Sequence, residues 1–139
     1  MRFLAIFYIS AICALPTMAA SKTTLELKCI GTASSNPHTG DLTITYEEDP
    51  DGITGEMVYE GQKIEDGKLN ETNFSAKLIG NGGNSIIAQT QPIGGGVGFL
   101  FFNHIIEFDT GHFYSYMIRL DGEEATIMPS KDMTCAIKK

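Results

Sequence analysis

Basic charge is what this chain has least of. Ten Lys and Arg stand against seventeen Asp and Glu over 139 residues, a formal net charge of −7. A surface of that sign cannot neutralise a phosphate backbone, which takes clustered Lys and Arg, so nucleic acid is excluded as a partner and a cationic one fits better. Histidine and cysteine are scarce, at three each. The Gly-Lys-Ser/Thr of a phosphate loop, Gly-x-Ser-x-Gly and His-Glu-x-x-His are all missing. No segment repeats its apolar residues every 3.6 positions, which argues against amphipathic helices. After residue 20 no run approaches the roughly 20 apolar residues that a membrane span needs.

The long apolar run that does exist lies at the start. Met1-Arg2 is followed by thirteen uncharged residues, Phe3 to Leu15, then Pro16 and small residues around Ala19 and Ala20. This reads as a secretory signal cleaved after Ala19 or Ala20. The alternatives are a buried strand or a membrane anchor; Ile12 before Cys13 is too large for a bacterial lipidation site. Residues 1–20 are thus a cleaved signal peptide and 21–139 a single domain of 119 residues, with Arg2 gone and a net charge of −8. The expected location is periplasmic or secreted.

Two cysteines remain, Cys29 and Cys135. An even pair in an exported chain reads as a disulfide rather than as free thiols. It places the first and last strands side by side or face to face. One bridge without a cysteine-rich framework suits a bacterial periplasm.

Short alternating segments fill the rest, each ended by Gly, Asp, Asn or Pro. "TTLELKCIG", "DLTITYEE", "ITGEMVYEGQKI", "KLNETNFSAKLIG", "SIIAQTQP", "FYSYMIRL", "EEATIM" and "MTCAIK" are examples, separated by turns such as "DPDG", "EDG" and "DTGH". Asp-Gly favours two-residue hairpins because both residues tolerate positive φ. The pattern predicts an all-β fold, a small antiparallel β-barrel of about eight strands, with a β-sandwich as the alternative.

The most unusual stretch is "QPIGGGVGFLFFNHIIEFDTGHF", residues 91 to 113. Its glycines do not open a helix, so they predict a turn, bulge or bend rather than a phosphate site. Period two puts Leu100, Phe102, His104, Ile106 and Phe108 on an inner face, with Phe99, Phe101, Asn103, Ile105 and Glu107 outside. Alternatively, Phe99 and Phe101 form an exposed apolar patch. His104 reads as a neutral imidazole with a buried partner, for which Tyr114 and Tyr116 are candidates, or as a polar handle in a ligand cavity. The cavity reading makes Phe102, His104, Ile106 and Tyr116 the ligand-binding set.

Metal ligation needs a cluster, and Glu107, Asp109 and His112 permit one without demanding it. His38 stands apart from them in sequence. A calcium-loop likeness at Glu47, Asp49 and Asp51 fails at Val58, where a bidentate acid belongs. No metal and no cofactor are assigned. Asp41 to Glu71 holds ten of the seventeen acids against two lysines. Glu47, Glu48, Asp49 and Asp51 within it are the expected contacts for a cationic partner. Two sequons, at Asn70 and Asn73, matter only in a eukaryotic host.

In outline the chain resembles the small periplasmic barrels that inhibit c-type lysozyme: short, exported, all-β and clamped by a disulfide near the C-terminus. The resemblance is architectural. "SAKLIGNGG", Ser75 to Gly83, lacks the pattern around that family's inhibitory Ser and Lys, and no family is assigned. The expected function is an exported binding protein without catalytic residues that engages a cationic protein through acidic loops. A calycin-like carrier of a small apolar ligand is the alternative, and a hydrolase using Ser115, Asp109 and His104 or His112 is the third reading. A carrier requires an internal cavity along the Leu100-to-Phe108 face; a protein binder requires a filled interior.

Overall fold

The computed structural model describes residues 21–31, 38–95 and 98–138, so the signal segment lies outside the described residues. Ten strands follow one another: β1 (Lys22–Gly31), β2 (His38–Asp49), β3 (Gly52–Glu65), β4 (Lys68–Glu71), β5 (Phe74–Asn81), β6 (Ser85–Gln89), β7 (Ile93–Gly95), β8 (Gly98–Glu107), β9 (His112–Asp121) and β10 (Glu124–Ile137). Every pairing is antiparallel. Eight strands close in the order β2-β1-β10-β9-β8-β6-β5-β3, because β2 also pairs with β3. β4 and β7 are short extensions hairpinned onto β3 and β8. The expected eight-stranded antiparallel barrel is therefore the architecture.

Alternation explains the walls. Leu27 and Cys29 of β1, Leu42 and Ile44 of β2, Met57 and Tyr59 of β3, Ala76 and Leu78 of β5, Ile86 and Ala88 of β6, and Met133 and Cys135 of β10 all point inward and are buried. Eight strands leave an interior that side chains can just fill. The turns follow local chemistry. Asp66 and Gly67 both take positive φ, 51° and 71°, between β3 and β4. Gly111, at φ 67°, closes the β8–β9 turn, where a Cβ would lie 2.2 Å from the Cys135 carbonyl oxygen.

Cys29 and Cys135 are directly opposite in the β1–β10 ladder and form a disulfide across 106 residues. The first and last strands lie side by side, joined by sulfur as expected. A bridge of that span is worth roughly 4–5 kcal/mol on chain-entropy grounds.

Two sequence expectations need correction. "EEATIM" and "MTCAIK" are one strand, β10, not two. Pro129 does not end it: Pro129 stays opposite Tyr116, and a bulge at Ser130, between Pro129 and Lys131, lets the strand continue. Conversely, "KLNETNFSAKLIG" is two strands, β4 and β5, split at Thr72 and Asn73. In the glycine run, Gly94 pairs with Phe99 and Gly95 with Gly98, and Gly96 and Val97 lie outside the described residues.

Candidate functional site

The barrel's two halves differ. Around Leu42, Ile44, Met57, Ile106, Phe113 and Met133 the interior is sealed, each with 0 % exposure. Toward the end where β2 begins, the inward positions become polar. Lys131 on β10 faces Ser115 on β9, Ser115 faces His104 on β8, and His104 faces Ala88 on β6. This row runs across four strands on the inner face, polar on the first three. His38 at the start of β2 and Lys63 opposite it on β3 lie at the same end.

An aromatic stack fills the space between the walls. Tyr59 and Phe74 are 5.4 Å apart, Phe74 and His104 3.7 Å, and His104 and Phe113 6.0 Å, all nearly parallel. Glycine makes room for it: a Cβ on Gly61 would lie 2.3 Å from the Tyr59 hydroxyl, and one on Gly40 2.6 Å from it. The Tyr59 ring therefore lies flat along the wall. The Lys131 ammonium stands over two of these rings, 5.0 Å from Tyr59 and 5.7 Å from Phe74. Such cation–π contacts are worth about 0.5–2 kcal/mol, more as water is excluded.

His104 has the partner the sequence asked for, but not a tyrosine. Its Nδ1 shares a 2.7 Å hydrogen bond with Ser115 Oγ. Tyr114 and Tyr116 occupy the opposite parity of β9 and face outward, because the register of the β8–β9 hairpin sets Phe113 against Ile106. Nε2 of His104 is buried without a partner among the described residues. Burial, helped by the Lys131 charge, lowers its pKa to about 3, so the ring is neutral at physiological pH. Burial, with Lys63 second, also lowers the Lys131 pKa. His38 is lowered by burial and then by Lys131 and Lys63, with Glu65 opposing.

On the outer face, His112, Tyr114 and Tyr116 form an aromatic ladder along β9. Tyr114 meets Tyr116 edge-on at 5.7 Å and His112 at 5.1 Å. Carboxylates flank it. Glu107 on β8 accepts a 3.2 Å hydrogen bond from the Tyr114 hydroxyl, and Asp132 on β10 lies 2.6 Å from His112 Nε2. Desolvation, then the Glu107 contact, raises the Tyr114 pKa. A groove of about 570 Å³ runs over this surface and past the Pro129–Lys131 bulge, where it reaches Ser115, Lys131 and His38.

The sequence-predicted ligand set is only partly brought together. Phe102, His104 and Ile106 share the inner face of β8, with Ile106 sealed in the core, while Tyr116 lies outside the wall. Phe108 falls in the turn after β8 and is 40 % exposed, not interior. Phe99 is exposed, and Leu120 and Ile118 oppose Phe99 and Phe101 on the outer face. Glu47 and Glu48 are exposed on β2, and Asp49 and Asp51 flank the tight turn into β3, where Asp49 accepts from the Asp51 amide. Glu107, Asp109 and His112 do not converge, and no cluster of three metal-ligating side chains exists among the described residues. His112 pairs with Asp132 instead.

Lys131 and Asp132 were not singled out from the sequence, and Tyr114 was singled out only as a partner for His104. A signal existed for Lys131: counting back by two from Cys135 and Met133 reaches it on the inner face. The same count from Leu42 through Gly40 reaches His38. The disulfide is compatible with an oxidising, extracytoplasmic compartment. No protein-family model, curated protein or solved structure matches the chain.

Proposed function

We propose that this is an exported, non-catalytic binding protein, periplasmic or secreted, that engages a cationic protein on the outside of its barrel. The observation that carries this reading is the division between a sealed interior and a grooved exterior. The aromatic stack and the aliphatic residues beneath it occupy the space a carrier would give to an apolar ligand. The outer groove offers what an Arg or Lys side chain seeks: tyrosine faces between two carboxylates. Glu47, Glu48, Asp49 and Asp51 sit on an exposed hairpin and add long-range attraction, which raises association rates more than affinity.

Two further observations support the non-catalytic part. Ser115 and His104 are at hydrogen-bond distance, as a nucleophile and base would be, but each is only 1 % exposed. A histidine with a pKa near 3 is also a poor base at neutral pH.

The test is retention of a basic protein. The immobilised protein is expected to hold c-type lysozyme at low salt and to release it as salt rises. Retention no stronger than that of an unrelated acidic protein of equal net charge would overturn the reading.

A further inference from the structure

We propose that the polar end of the barrel is a carboxylate-binding site, with Lys131 as its charged anchor and His38 beside it in the groove, backed by Lys63 and the buried His104 in the wall. The proposal does not rest on the cationic partner: its anchoring groups are inner-face residues at the Pro129–Lys131 bulge, which the same groove reaches.

The first argument is charge. All seventeen acidic residues of this chain lie within the described stretches. Asp41 holds Lys28 and Lys138, Glu65 holds Lys63, Asp121 holds Arg119 and Asp132 contacts His112. Lys131 has no carboxylate side chain as partner. Yet it turns inward, half-buried over two aromatic faces and pushed toward its neutral form by desolvation. A lysine held where its ammonium is poorly solvated, in an acidic protein with carboxylates to spare, leaves a position for an anion from outside.

The second argument is the set of orphaned imidazole nitrogens. His104 is 99 % buried by its 1 % exposure, and its Nε2 has no partner among the described residues. Ser115 Oγ occupies Nδ1, so Nε2 is the ring nitrogen left without a partner. His38 Nδ1 is likewise buried and unpartnered. Lys131 acts electrostatically on both imidazoles, so the three groups share one electrostatic neighbourhood. The third argument is access: the groove reaches Lys131, Ser115 and His38 at the bulge.

A carboxylate suits these donors better than a phosphate. One unpaired ammonium on Lys131, a second on Lys63 already offset by Glu65, and neutral imidazoles supply little positive charge. No guanidinium fork is present among them, which a dianion usually requires. Two sources share that chemistry, a free small carboxylic acid and a carboxylate of a protein lying in the groove.

The experiment is an NMR titration of the disulfide-bonded protein with benzoate, using neutral benzamide as the isosteric control. Benzoate is expected to shift the Lys131 and His104 side-chain signals saturably, with a dissociation constant on the order of 1 mM, whereas benzamide leaves them in place. Lys131→Met is expected to weaken benzoate binding roughly tenfold or more, and Lys131→Arg to keep it within about threefold. Equal shifts with benzamide, shifts that never saturate, or unchanged affinity in Lys131→Met would each overturn the proposal. The benzoate–benzamide contrast on the unmodified chain decides the matter even if a variant fails to fold. Repeating the titration with lysozyme bound separates the sources. Displacement of benzoate assigns the carboxylate to the partner, and undiminished binding assigns it to a separate small acid; both support the site.

Discussion

Acidification provides a sharp test of the packed interior. His104 is neutral in the folded protein, its pKa lowered to about 3 by burial and then by Lys131, and it returns to 6.5 when the chain unfolds. A base with a depressed folded pKa contributes stability that is present above the unfolded pKa and is lost as pH falls. The window here runs from 6.5 down to about 3, at roughly 1.4 kcal/mol per pH unit once well inside it. Between pH 7 and pH 5 the loss from this one ring is about 2 kcal/mol, or roughly 6–10 °C in midpoint for a domain of this size. His38, depressed in the same direction, adds to it. Asp41 is also depressed, but its effect falls below the carboxylate value of 3.8, outside this range. The informative variant replaces the buried pair with apolar groups, His104→Phe with Ser115→Ala, which keeps a ring on Phe74 and leaves no orphaned hydroxyl. Urea unfolding followed by circular dichroism at pH 7, 6 and 5 measures both proteins. The unmodified chain is expected to lose about 2 kcal/mol more than the variant over that range. Parallel pH curves would refute the burial of a neutral imidazole in the stack.

Reduction of Cys29–Cys135 is expected to lower stability by roughly 4–5 kcal/mol, read as a shift in urea midpoint with and without reductant. Gly111→Ala combines a positive φ with a contact onto the Cys135 carbonyl, and at least about 2 kcal/mol should be lost in the same assay. Glu47→Lys with Glu48→Lys is expected to slow association with a basic protein roughly tenfold at low salt, with little change in dissociation, as surface plasmon resonance would report.

Much of this architecture is legible in the sequence because strands alternate. The inner positions of β1, β2 and β3 follow from period two, and so does the bridge that staples the ends. Turn chemistry also spoke plainly: Asp66-Gly67 links β3 to β4, and Gly122, at positive φ after Asp121, opens the link from β9 to β10. What stayed hidden depends on register. Nothing local dictates whether Tyr116 or Ser115 faces His104; the turn from Phe108 to Gly111 decides it by setting Ile106 against Phe113. Pro129 misled because proline normally stops a strand, and only pairing with Tyr116 across a bulge lets β10 continue. Lys131 escaped notice because a charged side chain is expected outside, although the parity of Met133 and Cys135 placed it inside. The groove itself combines β8, β9 and β10, so no single segment could reveal it.

The most direct measurement of the binding account is the affinity for a basic protein of a Tyr114→Ala, Tyr116→Ala variant beside the unmodified chain. Net charge is the same in both, so attraction by charge alone cannot separate them. If the groove grips basic side chains, calorimetry at moderate salt should show the variant binding roughly tenfold weaker or worse. Equal affinity would mean that the tyrosine groove takes no part and that the acidic surface acts by charge alone.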